Sequence, residues 1–264
     1  MSYAFISGAT GGIGRAFAQQ LARENCKLFL TGRSEEKLKN ECVALKEINS
    51  QAEIKYCACD LTKEEERTRL IDYIKGLGIT FNKLVMVAGV DTQKGFLDYT
   101  LEKLTFQLRV NVEATVCLTH QLLNFKSQNE KTHLLVISSM SGATPMPYFA
   151  VYSATKCMLK NLFTALHYEL KGHGVNVTTV MPGGVFTRLD IIEDIKRQGL
   201  WGKLSAKTPE FVAKKSLKAV KKNKTVYIPG GFNKFLYFIL KIVPSPLVLR
   251  FIRARWKKQT KDAF

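Results

Sequence analysis

Short apolar runs and longer amphipathic stretches alternate along most of this chain. Tyr3, Ala4, Phe5 and Ile6 form a first apolar run that ends in the glycine-rich turn SGATGGIG at 7–14. From Arg15 to Glu24, Ala16, Phe17 and Leu21 recur at helical spacing, and Leu28 to Thr31 reads as the next strand. The same alternation predicts helices over 35–48 and 63–75, with strands over 54–57 and 84–87. One long helix is expected around 101–125, then a strand at 134–137, a helix at 151–171 and a strand at 175–180. Near-continuous apolar strands separated by helices indicate an α/β fold with a parallel sheet covered on both faces. No repeat or low-complexity linker interrupts the pattern before residue 190.

Beyond Asp190 the pattern loosens. A helix is expected over 209–221 and a short strand at 226–228, followed by the apolar segment GFNKFLYFILKIVPSPLVLRFIRARWKK. Lys241, Pro244 and Pro246 break that segment into stretches far below the roughly 20 residues a spanning helix needs. Projected on a helix from Pro246, it places Arg250, Arg253 and Lys257 on one face and Val248, Ile252 and Trp256 largely on the other. The expected division is therefore a catalytic unit over 1–230 and a basic amphipathic extension over 231–264.

Composition sharpens this picture in two places. The net charge is +18, and from Lys203 onward sixteen Lys and Arg face only Glu210 and Asp262, so +14 of it lies in the last quarter. Such a tail can meet an anionic membrane, an acidic substrate or nucleic acid. Nucleic acid is disfavoured because the cations are interleaved with large aliphatic residues. The six cysteines show no metal-ligand or redox spacing and read as reduced thiols, and with the first strand beginning by residue 3 no export signal is expected. The expected setting is cytoplasmic, with peripheral membrane contact through the tail; a subunit contact or a lid over the site are the competing uses of that segment.

A glycine turn between the first strand and the first helix of a parallel sheet presents backbone N–H groups and a helix N-terminus to a pyrophosphate. SGATGGIG, with Ser7, Gly8, Thr10, Gly11, Gly12, Ile13 and Gly14, resembles the TGxxxGxG of the short-chain dehydrogenase/reductase family, Ser7 standing for the usual threonine. Tyr152 and Lys156 match its YxxxK, Ser139 lies thirteen residues before the tyrosine, and Asn111 in RVNVEAT matches the helix asparagine. Asp60 and Leu61 resemble the adenine segment, and Pro182, Gly183, Val185 and Thr187 the segment at the nicotinamide. Ala88 and Gly89 keep the Ala-Gly after the fourth strand, but Met86 and Val87 replace both asparagines of the family's NNAG. The resemblance runs from about residue 3 to 187. It implies a single Rossmann-type, doubly wound sheet of about seven strands in the order 3-2-1-4-5-6-7, a nicotinamide cofactor and a homodimer or homotetramer; no metal is expected.

The resemblance also implies roles. Tyr152 and Lys156, four apart on a helix, share a face. An ammonium beside a phenol lowers its pKa toward the working range of a general acid. Ser139 would hold the carbonyl oxygen, and Asn111 would keep a water in the proton path. After the second strand the chain offers Arg33 rather than an acidic residue, which favours a 2′-phosphate and hence NADP(H). Arg33 as a solvated residue before a capping Ser34 is the alternative. Met140, Met146, Tyr148, Phe149, Leu189 and Trp201 are the candidate pocket residues, and Met with aromatics suits a bulky apolar ketone. A steroid ketone is the first expectation and a 3-oxoacyl thioester the second; a non-catalytic NADPH-binding or membrane-surface scaffold is the rival class.

Overall fold

The computed structural model describes residues 2–187, 189–197 and 199–257. β1 (Ser2–Ser7) runs through the glycine turn into α1 (Gly12–Arg23), followed by β2 (Lys27–Gly32), α2 (Glu35–Ile48), β3 (Ile54–Ala58), α3 (Glu64–Gly76) and β4 (Thr80–Met86). Next come α4 (Leu101–Leu108), α5 (Ala114–Leu122), β5 (Thr132–Ile137), α6 (Ala150–Glu169) and β6 (Val175–Val180). The last part holds α7 (Leu189–Arg197), α8 (Gly199–Ser205), α9 (Pro209–Lys221), β7 (Val226–Tyr227), α10 (Gly231–Ile242) and α11 (Ser245–Trp256). The strands form one parallel sheet in the order β3-β2-β1-β4-β5-β6-β7, the order the family resemblance implies.

Each face of the sheet buries its own apolar layer. On one, α1 and α9 press Phe17, Leu21, Val212 and Leu217 against Ile6, Leu30 and Val85. On the other, Leu70, Leu118, Leu159 and Phe163 cover Phe5, Phe29 and Phe81. Phe5 and Phe29 stack at 5.8 Å while Phe81 meets Phe5 edge-on at 5.7 Å, which fixes the central strands through ring geometry. Helix starts follow local chemistry. Ser34, Thr100 and Thr208 accept bonds from the N–H groups of Lys37, Lys103 and Phe211, and Pro209 opens α9, where a missing N–H costs nothing.

Two regions differ from the sequence pattern. The long helix expected over 101–125 is interrupted by a π-helical turn at Arg109–Glu113, which contains Asn111; π turns of this kind often occur at functional positions. In the tail a further helix, α10, precedes the one projected from Pro246; Pro244 ends α10 and Pro246 lies in the first turn of α11. The two make a hairpin over the carboxyl ends of the strands. Among the described residues, no helix is long and apolar enough to cross a membrane.

Candidate active site

The carboxyl ends of the strands open into a cavity of about 850 Å³. Its floor is the glycine turn. Gly8 adopts φ +64°, and a side chain there would stand 3.0 Å from the backbone of Ala88; at Gly14 a Cβ would lie 2.1 Å from the Gly8 carbonyl oxygen. Neither position admits a side chain without moving backbone, so the turn stays low and α1 presents its N-terminus to the cavity. Gly12 faces Thr187 in the same way, with 2.9 Å to the threonine side chain, so the first and last segments of the floor meet. Thr10, Gly11, Ile13, Arg33, Asp60, Leu61, Ala88 and Gly89 continue this wall, and Pro182, Gly183 and Val185 close it.

Charge at this end is arranged. Burial works against ionisation of Asp60, but bonds from the Thr62 N–H at 3.0 Å and hydroxyl at 2.8 Å, together with the nearby Arg33, hold its carboxyl below the usual range. Arg33 itself is exposed at the end of β2, with its guanidinium 5.5 Å from the centroid of Phe106. Glycines that a Cβ would clash at, a helix N-terminus and a cation after the second strand together fit a dinucleotide.

Ser7 stands behind this wall rather than on it. It is buried, and its hydroxyl oxygen accepts from the N–H groups of Val87 at 3.0 Å and Ala88 at 3.2 Å. This ties the end of β1 to the segment after β4, where the family's two asparagines are missing. Asn111 acts nearby: its Oδ1 accepts from Val90 N–H at 2.7 Å, and its Nδ2 donates to the Val90 carbonyl at 2.9 Å and to Thr155 Oγ1 at 3.1 Å. The π turn brings that side chain inward, where it holds the loop beside Gly89 and the helix that carries Tyr152 and Lys156.

Tyr152, Ser139 and Lys156 converge on the cavity. Lys156 is buried and donates to the Ile137 carbonyl at 3.0 Å, with its ammonium 5.6 Å from the Tyr152 ring centroid. An ammonium has three donors, so two remain for other partners. Burial lowers the Lys156 pKa to about 8. Burial and then the Asp91 carboxylate push the Tyr152 phenol up, and its hydrogen bond with Ser139 opposes them. The loop carrying Ser139 is locked to α6: Ser138 donates to the Lys156 carbonyl at 2.7 Å, and a Cβ on Gly142 would lie 2.7 Å from the Lys156 backbone. Met140 N–H donates to the Pro182 carbonyl at 2.8 Å, which joins this loop to the floor.

The other half of the cavity is apolar. Met140, Met146, Phe149 and Trp201 line it. Phe149 stacks on Tyr152 at 4.5 Å and on Trp256 at 5.9 Å, so the hairpin reaches the phenol through one intervening ring. Tyr148 does not line the cavity and has the left-handed φ of +63°. The Leu189 side chain lies outside the described residues. Sequence reasoning did not find Asp91, nor the apolar roof of Leu236, Ile239, Leu240, Val243 and Ile252. Asp91 could have been noticed as an acid two residues after the Ala-Gly. Asn233 anchors the roof: it is buried against Gly183, and its amide donates to the carbonyls of Ser205 at 2.8 Å and Pro229 at 2.9 Å.

Comparison with known proteins agrees with this geometry. The family model described as short chain dehydrogenase matches residues 2–196. The chain is 30% identical to the dehydrogenase/reductase SDR family member 7B of Xenopus tropicalis, over 97% of this chain and 86% of that protein. It is 32% identical to the very-long-chain 3-oxoacyl-CoA reductase of Bos taurus, over 83% of this chain and 68% of that one. A structure solved in work on 7beta-hydroxysteroid dehydrogenase stereoselectivity superposes with a TM-score of 0.86 at 23% identity, covering 95% of this chain and 96% of the other, which is a likeness of fold.

Proposed function

The chain belongs to the short-chain dehydrogenase family, and from that premise we propose that it reduces the ketone of a bulky apolar substrate with NADPH, a steroid ketone before any other. The observation that carries this reading is the meeting of Tyr152, Ser139 and Lys156 at the boundary between a glycine cradle and an apolar half-cavity. The glycine cradle would hold the pyrophosphate of a nicotinamide cofactor and the 182–187 segment its nicotinamide, and the cofactor would supply the hydride. Tyr152 gives its proton to the carbonyl oxygen that Ser139 holds, and Lys156 in its cationic form stabilises the phenolate left behind. Burial keeps the phenol protonated at rest, the state that reduction requires. Asn111 holds the helix and loop around this group through Val90 and Thr155.

NADP(H) is chosen over NAD(H) because the residue after β2 is Arg33 and can pair with a 2′-phosphate. A 3-oxoacyl thioester is the second reading, favoured by the 32% identity to the bovine reductase. Residues 1–230 hold the cofactor, and the 231–264 extension completes the substrate side through its described part. A homodimer or homotetramer through α4, α5 and α6 is supported by Leu101 and Leu108 on α4 and Met158 on α6, large apolar residues that are exposed. The setting we assign is cytoplasmic, with peripheral membrane contact through the extension.

The test offers steroid ketones and 3-oxoacyl thioesters side by side to the purified protein, following NADPH consumption with Tyr152→Phe as the blank. Turnover of steroid ketones that the variant abolishes supports the first reading. Turnover of thioesters alone selects the second, and NADPH binding without turnover of either class leaves the scaffold reading standing.

A further inference from the structure

α10 carries two apolar stripes. Leu236, Ile239, Leu240 and Val243 recur at i, i+3, i+4 and i+7 and line the cavity. Phe235, Phe238 and Ile242 lie on the other side at i, i+3 and i+7, each with more than half of its surface exposed. A helix apolar on both sides in a water-soluble protein needs a second apolar partner. On the next helix Leu247 and Phe251 are also more than half exposed, yet both line the cavity, so its mouth opens beside them. Leu200 and Leu204 of α8 are exposed as well, and Trp201 holds α8 to α10 through an edge-on contact with Phe232 at 5.3 Å.

Charge selects the occupant. Between 231 and 257 there are six Lys and Arg and no Asp or Glu. Lys234, Lys241, Arg250 and Arg253 are exposed on the hairpin, and the Lys241 ammonium lies 4.7 Å from the Tyr237 ring centroid. Cations beside exposed Phe, Leu and Ile on helices too short to cross a bilayer are the composition of an interfacial helix. A second copy of the chain would bring a like-charged hairpin against this one; an anionic lipid surface brings the opposite charge.

We propose that the outer face of the α10–α11 hairpin docks on an anionic bilayer and that the substrate enters the cavity directly from the lipid, through the mouth edged by Leu247 and Phe251. The entry step rests on the apolar-ketone reading above; the docking step does not. An apolar ketone then passes from hydrocarbon to an apolar cavity without crossing water, and the hairpin serves both as roof and as contact with the reservoir.

The test is flotation of the full chain with phosphatidylcholine vesicles, alone or mixed with phosphatidylglycerol. The protein is expected to float with the anionic vesicles and to remain in solution with the neutral ones. Removing Lys241, Arg250 and Arg253 (each →Gln) should weaken partitioning by about fivefold per cation, near 100-fold together. Removing the apolar face (Phe235→Ser, Phe238→Ser, Ile242→Ser) should abolish flotation. None of these side chains lines the cavity, so both variants should turn over a small water-soluble ketone at the wild-type rate, which also verifies that they fold. Docking is overturned if the wild type ignores anionic vesicles, if neither variant changes flotation, or if the apolar face instead supports a dilution-sensitive dimer that binds no vesicles. Entry from lipid is overturned if KM for a steroid ketone dissolved in anionic vesicles is the same in wild type and variants. A wild type that floats but reduces no ketone would leave docking intact and remove the reductase reading.

Discussion

At the cofactor end of the cavity, backbone meets backbone: Gly14 lies where a Cβ would stand 2.1 Å from the Gly8 carbonyl oxygen, and Gly8 lies 3.0 Å, on the same measure, from the Ala88 backbone. At the substrate end, ring meets ring, with Phe149 between Tyr152 and Trp256 at 4.5 and 5.9 Å. The first kind of contact tolerates only one residue type, whereas the second tolerates many of similar volume. Cofactor binding that requires fixed geometry falls to the rigid end, the reacting groups stand at the boundary, and selection of substrate falls to the end that can be rebuilt.

Substitutions at the two ends should therefore fail in different ways. The largest effect is expected at the boundary itself: Tyr152→Phe should lower kcat by about 1000-fold with NADPH affinity retained, measured by steady-state rates beside a fluorescence titration. Gly14→Val should cost about 100-fold in NADPH affinity and about 2 kcal/mol of stability, read from the same titration and from urea unfolding. If it binds NADPH normally, the cradle is not where the cofactor lies. Arg33→Glu should weaken NADPH by about 10- to 100-fold and leave NADH nearly unchanged. Equal losses for both would remove the assignment of the 2′-phosphate to Arg33.

At the substrate end, Trp256→Ala should raise KM for a steroid ketone by about tenfold while leaving NADPH affinity alone, since it removes one stacked ring. A change in NADPH affinity instead would mean that the two ends are not separable. The smallest effect concerns pH. Burial lowers the Lys156 pKa to about 8, so the ammonium is present below that value and lost above it. The kcat/KM for reduction should be level from pH 6 to near 8 and decline by severalfold toward pH 9; a profile that rises across this range would contradict the role given to the ammonium.

The legibility of the sequence follows the same division. The glycine turn, Ser139, Tyr152 and Lys156 could be read because their chemistry fixes both residue type and spacing; the alternation of apolar runs and amphipathic stretches predicts a parallel sheet, and the family resemblance implies its strand order. Other features depend on contacts between segments far apart in the chain. Ser7 resembles a cofactor-loop residue, but only the fold shows it bonded to Val87 and Ala88. Nothing in the periodicity of 101–125 marks the π turn that aims Asn111 at Val90. Tyr148 stands among pocket residues in the sequence, yet a left-handed backbone accompanies its exclusion from the cavity. For the tail, membrane contact competes with a lid or a subunit contact, because helical projection cannot tell a stripe that faces a cavity from one that faces outward. In the fold α10 has both, and its inner stripe makes it a wall of the site.

The reductase reading is tested most directly by the rate of NADPH oxidation with a graded set of ketones, from a small cyclic ketone to a steroid ketone, in the wild type and in Tyr152→Phe. If the apolar half-cavity selects the substrate and Tyr152 supplies the proton, kcat/KM rises with apolar bulk and turnover of every member is lost in the variant. Rates that fall with bulk, or that survive replacement of the phenol, would contradict that reading.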